Sequence, residues 1–271
     1  MRQLKRRARR ARSDRMAAAM RRMSAMLPLL ASAVLIAACG KGQLTTSSGH
    51  STPAGGGSAS APHAAGKPLT SQQAQALVRA INLTASDVPG FAASRKREGS
   101  TPAEKHLEEE TARCLGARTS GKALAEGSSQ SFEHRRGILA LSVSSSVTVV
   151  ATPAAAAKEL SKARRGRVRG CLARYLGLVF KSLHQRGLQV SKVSVQEGTP
   201  PASGATDSVG WRLSATLTDQ RVRIPVYVDI LGFTYGAADV LLFSSGLPVP
   251  FPAAPEQQLY TLLLHRAASF H

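Results

Sequence analysis

The stretch "LALSVSSSVTVV", Leu139 to Val150, constrains this chain more than any other. Leu139, Leu141, Val143, Ser145, Val147 and Val149 fall on one side of an extended backbone, and Ser142, Ser144, Ser146 and Thr148 on the other. A period of two belongs to a β-strand, and apolar opposite hydroxylated predicts one face on a core and a polar outer face. "SFEHRRGI" just before it predicts a hairpin around Arg136 and Gly137.

The same alternation returns in the second half of the chain. "LQVSKVSVQ", "VGWRLSATLT", "VRIPVYVDILGF" and "ADVLLFSS" all read as strands, with a close turn at Asp219 and Gln220 between the second and third of them. Helical periods stand around these strands. "TSQQAQALVRAINL" places Ala74, Leu77, Val78 and Ile81 on one face behind a capping Thr70 or Ser71. "TASDVPGF" makes a turn after it, with Pro89 and Gly90 ending any helix. "PAEKHLEEETARCLG", "PAAAAKELSKAR", "RVRGCLARYLGLVFKSL" and "APEQQLYTLLLHRAASF" complete the set. Short connections between successive strands predict an antiparallel sheet, of about six or seven strands, with helices over its core face. The predicted class is α+β, in one domain over residues 69–271.

The first 68 residues are a different kind of sequence. The apolar run from Leu27 to Ala38 is 12 residues long, too short for a membrane span of about 20. It follows a strongly basic head, "KRRARRAR" with Arg21 and Arg22, and that order is a secretory signal. "IAAC", Ile36 to Cys39, resembles the lipobox of bacterial lipoproteins. That resemblance implies a diacylglyceryl thioether on Cys39, further acylation of the palmitate kind, and cleavage directly before it. Residues 1–38 are then a signal peptide, read from Met1 or from an internal start such as Met20. From Cys39 to Pro68 the chain is rich in Gly, Ser, Pro and Ala, which predicts a disordered tether with a reach of roughly 30 Å.

Lipobox, tether, an opening helix followed by "SDVPGF", and a strand-rich second half together resemble actinobacterial lipoproteins of the LpqN type and related extracytoplasmic sensor-like domains. The resemblance implies a PsbP/Mog1-like fold, an antiparallel sheet flanked by helices, and an extracytoplasmic place on the cell membrane. It supplies no catalytic residues.

Removing the signal changes the charge. It holds 10 of the 36 Lys and Arg and 1 of the 16 acids, so 26 against 15 remain, a net +11 instead of +20. The excess points to anionic lipid, an anionic wall polymer or an envelope protein as partner, and not to nucleic acid, which an exported protein rarely meets. The densest basic cluster is "KARRGRVR", with Lys162, Arg164, Arg165, Arg167 and Arg169, joined by Arg174. It is a candidate contact for an anionic surface, although a solvated junction between two helices reads the same way. "GLPVPFPAAP", Gly246 to Pro255, is a second candidate: its prolines make a stiff loop that either presents Phe251 outward or caps the core with it. With Cys39 lipidated, Cys114 and Cys171 are left as an even pair, and an oxidising compartment predicts one disulfide between them. The rival is a free reactive thiol, but both lie in apolar helical patterns and neither is beside a histidine.

Catalytic motifs are missing. There is no Gly-x-Ser-x-Gly elbow, no His-Glu-x-x-His, no Cys-x-x-Cys and no phosphate loop. "SSG" at Ser244 reads as a strand end, His106, His134, His184 and His265 are scattered, and Glu108, Glu109 and Glu110 point in different directions on a helix. No catalytic, metal or cofactor site is therefore expected. The expected function is a lipid-anchored, extracytoplasmic, non-enzymatic binding or accessory module. The alternative is an envelope hydrolase or transferase whose site is built from distant residues.

Overall fold

A computed structural model describes residues 69–94, 123–163, 168–174, 189–191, 193–219 and 222–270. The predicted signal peptide and tether, and the helix expected over "PAEKHLEEETARCLG", lie outside the described residues. Helix α1 (Ser71–Ile81) opens on a reciprocal cap: the Thr70 hydroxyl accepts the Gln73 N–H at 3.3 Å, and the Gln73 side chain accepts the Thr70 N–H at 2.9 Å. Its buried residues are Ala74, Leu77, Val78 and Ile81, the stripe that the spacing predicts.

The "SDVPGF" turn then ties α1 to the end of the chain. Asp87 closes a 3-10 turn (Ala85–Asp87) by accepting the Thr84 N–H at 2.7 Å. The two carboxylate oxygens of Asp87 also take the Arg266 guanidinium at 2.7 and 2.9 Å, and Arg266 donates to the Asn82 carbonyl at 3.0 Å. Gly90 follows with φ +83°, a conformation that side chains with a Cβ rarely adopt.

Strands β1 (Ala92–Ala93), β2 (Ala125–Ser128), β3 (Phe132–Arg136) and β4 (Leu139–Val149) form one side of the sheet. Helix α2 (Pro153–Ala163) and the helical residues 168–174, here α3, come next. They are followed by β5 (Gln189–Val190), β6 (Ser194–Gly198), β7 (Asp207–Asp219), β8 (Val222–Tyr235), β9 (Ala238–Leu247) and helix α4 (Ala253–Ala268). The sheet order is β1-β3-β4-β9-β8-β7-β5, with β2 also on β4 and β6 also on β7, and every pairing is antiparallel. The class is the α+β arrangement that the sequence predicts, with nine strands among the described residues in place of six or seven. The extra strands are short: β1 and β2 have no alternation of their own to mark them, and "LQVSKVSVQ" is broken into β5 and β6.

The larger difference concerns the faces. Leu141, Val143, Val147 and Val149 of β4 meet α1 and α4, along with Phe233, Val240, Leu242, Leu259, Tyr260 and Leu263, in one core. On the opposite face Trp211, Leu213, Ile224, Val226, Val228, Ile230 and Phe243 form a second core with Val168 and Leu172 of α3. Helix α2 lies against β7, β8 and β9. Helices therefore cover both faces, and not one core face alone. The predicted polar outer face of β4 is correspondingly buried: Ser142, Ser144 and Ser146 share their side of the sheet with the second core. Ser142 shares a hydrogen bond with Ser245 of β9 at 3.1 Å, whereas the buried Ser144 hydroxyl has no partner among the described residues. Ser145, the one hydroxyl in the apolar stripe, donates to Asn82 Oδ1 at 2.8 Å and accepts the Leu83 N–H at 2.9 Å, which fastens the end of α1 to the sheet.

Burial acts to raise the Asp87 pKa, but the hydrogen bonds from Arg266 and Thr84 and the Arg266 charge outweigh it, so the carboxyl is held below its ordinary 3.8. Arg266→Ala is expected to cost about 1–3 kcal/mol in chemical denaturation, because it leaves a partly buried carboxylate without its cation. A lowered folded pKa contributes stability that is complete above the ordinary value and is lost as pH falls through the folded one. Asp87→Asn should remove that part of the acid-side decline.

Candidate functional site

Three neighbouring strands place charged and hydroxyl groups side by side in the middle of the sheet. Arg212 of β7 is opposite Asp229 of β8, and Asp229 is opposite Ser244 of β9. Alternation fixes their direction: Trp211 and Leu213 fill the second core, so Arg212 projects from the other face, the one covered by α1 and α4. Helix α4 completes the row from above. Glu256, in its first turn, receives the Ser244 hydroxyl hydrogen bond at Oε1.

The electrostatics differ along the row. Arg212 donates from Nε to Asp229 Oδ1 at 2.6 Å and from Nη2 to Oδ2 at 2.9 Å, a bidentate pair in which both carboxylate oxygens are engaged. The hydrogen bond to Asp229 raises the Arg212 pKa further, against the effect of burial. Among the described residues no cation is in direct contact with Glu256. Burial raises its pKa above 4.5 and the Asp229 charge adds to the rise, whereas the Ser244 hydroxyl and the more distant Arg212 oppose it.

A serine beside a carboxylate is a pair that nucleophilic chemistry can use, provided that the hydroxyl meets a substrate. Ser244 is only 2% exposed, and Asp229 and Glu256 are buried with it. In this geometry the pair fastens the start of α4 to β9. The open end of the row is Arg212, whose side chain is 44% exposed. Beyond it Ser214 and Thr216 of β7 and Tyr227 of β8 continue the same face half-buried, with Ser214 opposite Tyr227. This is a polar surface on two long, fully paired strands.

The residues singled out from the sequence are distributed otherwise. Arg169 and Arg174 are exposed on α3, and Cys171 on the same helix is buried and disulfide-bonded. Cys39, Cys114, Arg164, Arg165 and Arg167 lie outside the described residues, and of Lys162 only the helical backbone is described. Phe251 is buried against Phe91, so the proline-rich loop caps the core with it. His134 packs on Phe91 and contacts the Gly90 carbonyl at 3.0 Å through Nδ1, and His265 is exposed on α4. Among the described residues no cluster of three metal-ligating side chains occurs, and no helix is long and apolar enough to cross a membrane.

Sequence reading missed the Arg212–Asp229–Ser244–Glu256 row. One signal was present: Glu256 occupies the buried stripe Glu256, Leu259, Tyr260, Leu263 and Ala267, where a carboxylate needs a polar partner beneath it. Comparison with protein-family models finds no match, and no curated protein matches the chain significantly.

Ser244→Ala removes the donor to a buried carboxyl and is expected to cost about 1–3 kcal/mol. Because the folded pKa of Glu256 is raised, its contribution is complete below 4.5 and is lost as pH rises through the folded value. Glu256→Gln keeps an acceptor for Ser244 without a charge. Its stability relative to the parent, read from denaturation midpoints, should therefore increase with pH above 4.5.

Proposed function

We propose that this chain is a lipid-anchored, extracytoplasmic envelope protein whose domain is a non-catalytic binding or accessory module. Cys39 becomes the first residue of the mature chain and carries the diacylglyceryl anchor, the Cys114–Cys171 bridge closes the folded domain, and the partner is an anionic lipid, a wall polymer or an envelope protein. The resemblance to LpqN-type lipoproteins accords with this reading. The observation that carries it is the division of the polar row. Its serine and carboxylates are buried and bonded to one another or to Arg212, while Arg212, Ser214, Thr216 and Tyr227 face outward on paired strands. Such a face offers hydrogen-bonding groups to a ligand, while the serine and carboxylates beneath it are enclosed.

One observation favours a second reading, an envelope hydrolase or transferase: the Ser244 hydroxyl is in direct contact with the Glu256 carboxyl. The two readings respond differently to a fluorophosphonate probe on the intact protein. The binding module leaves Ser244 unlabelled under native conditions. Labelling that disappears in Ser244→Ala would establish the hydrolase instead.

The anchor has its own test. Cells expressing the chain with an alkyne fatty acid should yield a labelled, membrane-bound product whose mass begins at Cys39. Cys39→Ser should abolish both label and cleavage, and a Cys39→Ser product that is still labelled and cleaved would refute the assignment.

A further inference from the structure

The two turns that close the same end of the sheet each present an aliphatic side chain to solvent. Strands β3 and β4 are joined by Gly137 and Ile138 between the paired residues Arg136 and Leu139. Gly137 supplies the positive φ of +60° that such a tight turn requires. Ile138 then stands at the tip, 43% exposed, where turns ordinarily place Gly, Asn or Ser. Strand β9 ends beside it, since Leu247 pairs with Ala140. Two residues further along each chain are Ile138 on one strand and Val249 on the other, and Val249 is 49% exposed.

These are two of the three large apolar side chains exposed among the described residues; Phe270 is at the opposite end of α4. Val249 sits on a loop packed against the sheet. The loop that carries it folds back on Gly246, where an added Cβ would overlap the Val249 carbonyl oxygen and the Phe251 backbone. Phe251 beneath it is locked into the core against Phe91. An aliphatic group on a fixed loop with no core to join is a local departure from the rules that build the rest of the domain, and such departures mark function.

Charge surrounds the pair. Arg135 and Arg136 are exposed on the β3 arm, with Arg135 held by Glu133 at 2.8 Å. The β7–β8 hairpin reaches the same end. Tyr227 is level with Gly246 and Gly246 with Leu141, so Arg223, four residues before Tyr227, is level with Gly137. Arg223 is exposed as well.

We propose that this end of the sheet docks on the anionic surface of a membrane, with Ile138 and Val249 entering the acyl boundary and Arg136 and Arg223 on lipid phosphates. Aliphatic tips ringed by arginine match that interface, which attracts cations electrostatically and buries apolar groups a few ångströms below them. The inference extends the proposed lipid anchor, because a tether of roughly 30 Å would keep the domain within reach of the bilayer.

The test is sedimentation of the whole mature chain, residues 39–271 carrying Cys39→Ser, with vesicles of phosphatidylglycerol and phosphatidylcholine in equal parts. No lipid is attached to the protein in this assay, so a failure of the anchor assignment leaves its outcome unchanged. The parent should sediment with these vesicles and far less with phosphatidylcholine alone. Ile138→Ser with Val249→Ser should weaken binding about tenfold, Arg136→Glu with Arg223→Glu at least as much, and Phe270→Ser not at all. Circular dichroism should be unchanged in every variant, since all five positions are exposed. A parent that does not sediment overturns the proposal, as does equal binding by the parent and the Ile138/Val249 variant. Loss of binding through Arg169→Glu with Arg174→Glu instead would overturn it too and transfer the contact to α3.

Discussion

The middle of the sheet is buried on both faces, and the rest of the structure follows from that constraint. Along β4 and β9 successive side chains point to opposite sides, and in both strands most residues on both sides are withdrawn from water. A sheet of this kind needs cover twice over, so α1 and α4 close one face while α3 contributes to the core on the other. Any polar side chain on such a strand is buried by position, whatever its chemistry, and must find its partner within the sheet or in the helix above it. That is the origin of the Ser142–Ser245 contact, of Ser145 bound to the end of α1, and of the Arg212–Asp229–Ser244–Glu256 row.

Closure of the first core depends on joining the two ends of the domain. Helices α1 and α4 are far apart in sequence and both contribute to that core. The Arg266 guanidinium spans them by taking the Asp87 carboxylate and the Asn82 carbonyl together. Both partners are drawn partly out of water, and Asp87 is also the acceptor that closes its own turn. The "SDVPGF" stretch thus has a structural role at each position that can be traced. Asp87 holds α4, Gly90 takes the left-handed conformation, and Phe91 packs on Phe251 and His134.

What could be read from the sequence was whatever local periodicity determines. Helix α1, its cap and its buried stripe were visible because a period of 3.6 and a Thr-x-x-Gln spacing are local, and β4, β7, β8 and β9 were visible because alternation over ten or more residues is unambiguous. Strands β1 and β2 were not, because two to four residues carry no period and become strands only by pairing with β3 and β4. The serines of β4 were misread for a related reason. Alternation shows that two faces differ, but the distant strands and helices decide whether the polar one meets water. The candidate site is hidden more deeply, since Arg212, Asp229 and Ser244 are neighbours only through strand register, and register is not written in any one segment.

The buried polar row and the exposed apolar tip are parts of one arrangement. Between β9 and α4 the chain has only residues 248–252 in which to reverse direction. One end of that connection is fixed where the loop backbone closes over Gly246, and the other where Glu256 in the first turn of α4 takes the Ser244 hydroxyl. Phe251 anchors the loop from below. With the connection held at these points, Val249 lies exposed at the same end of the sheet as Ile138. The Ser244–Glu256 contact therefore acts at a distance from its own atoms. Its chemistry is enclosed, and what it passes to the surface is the fixed position of a loop.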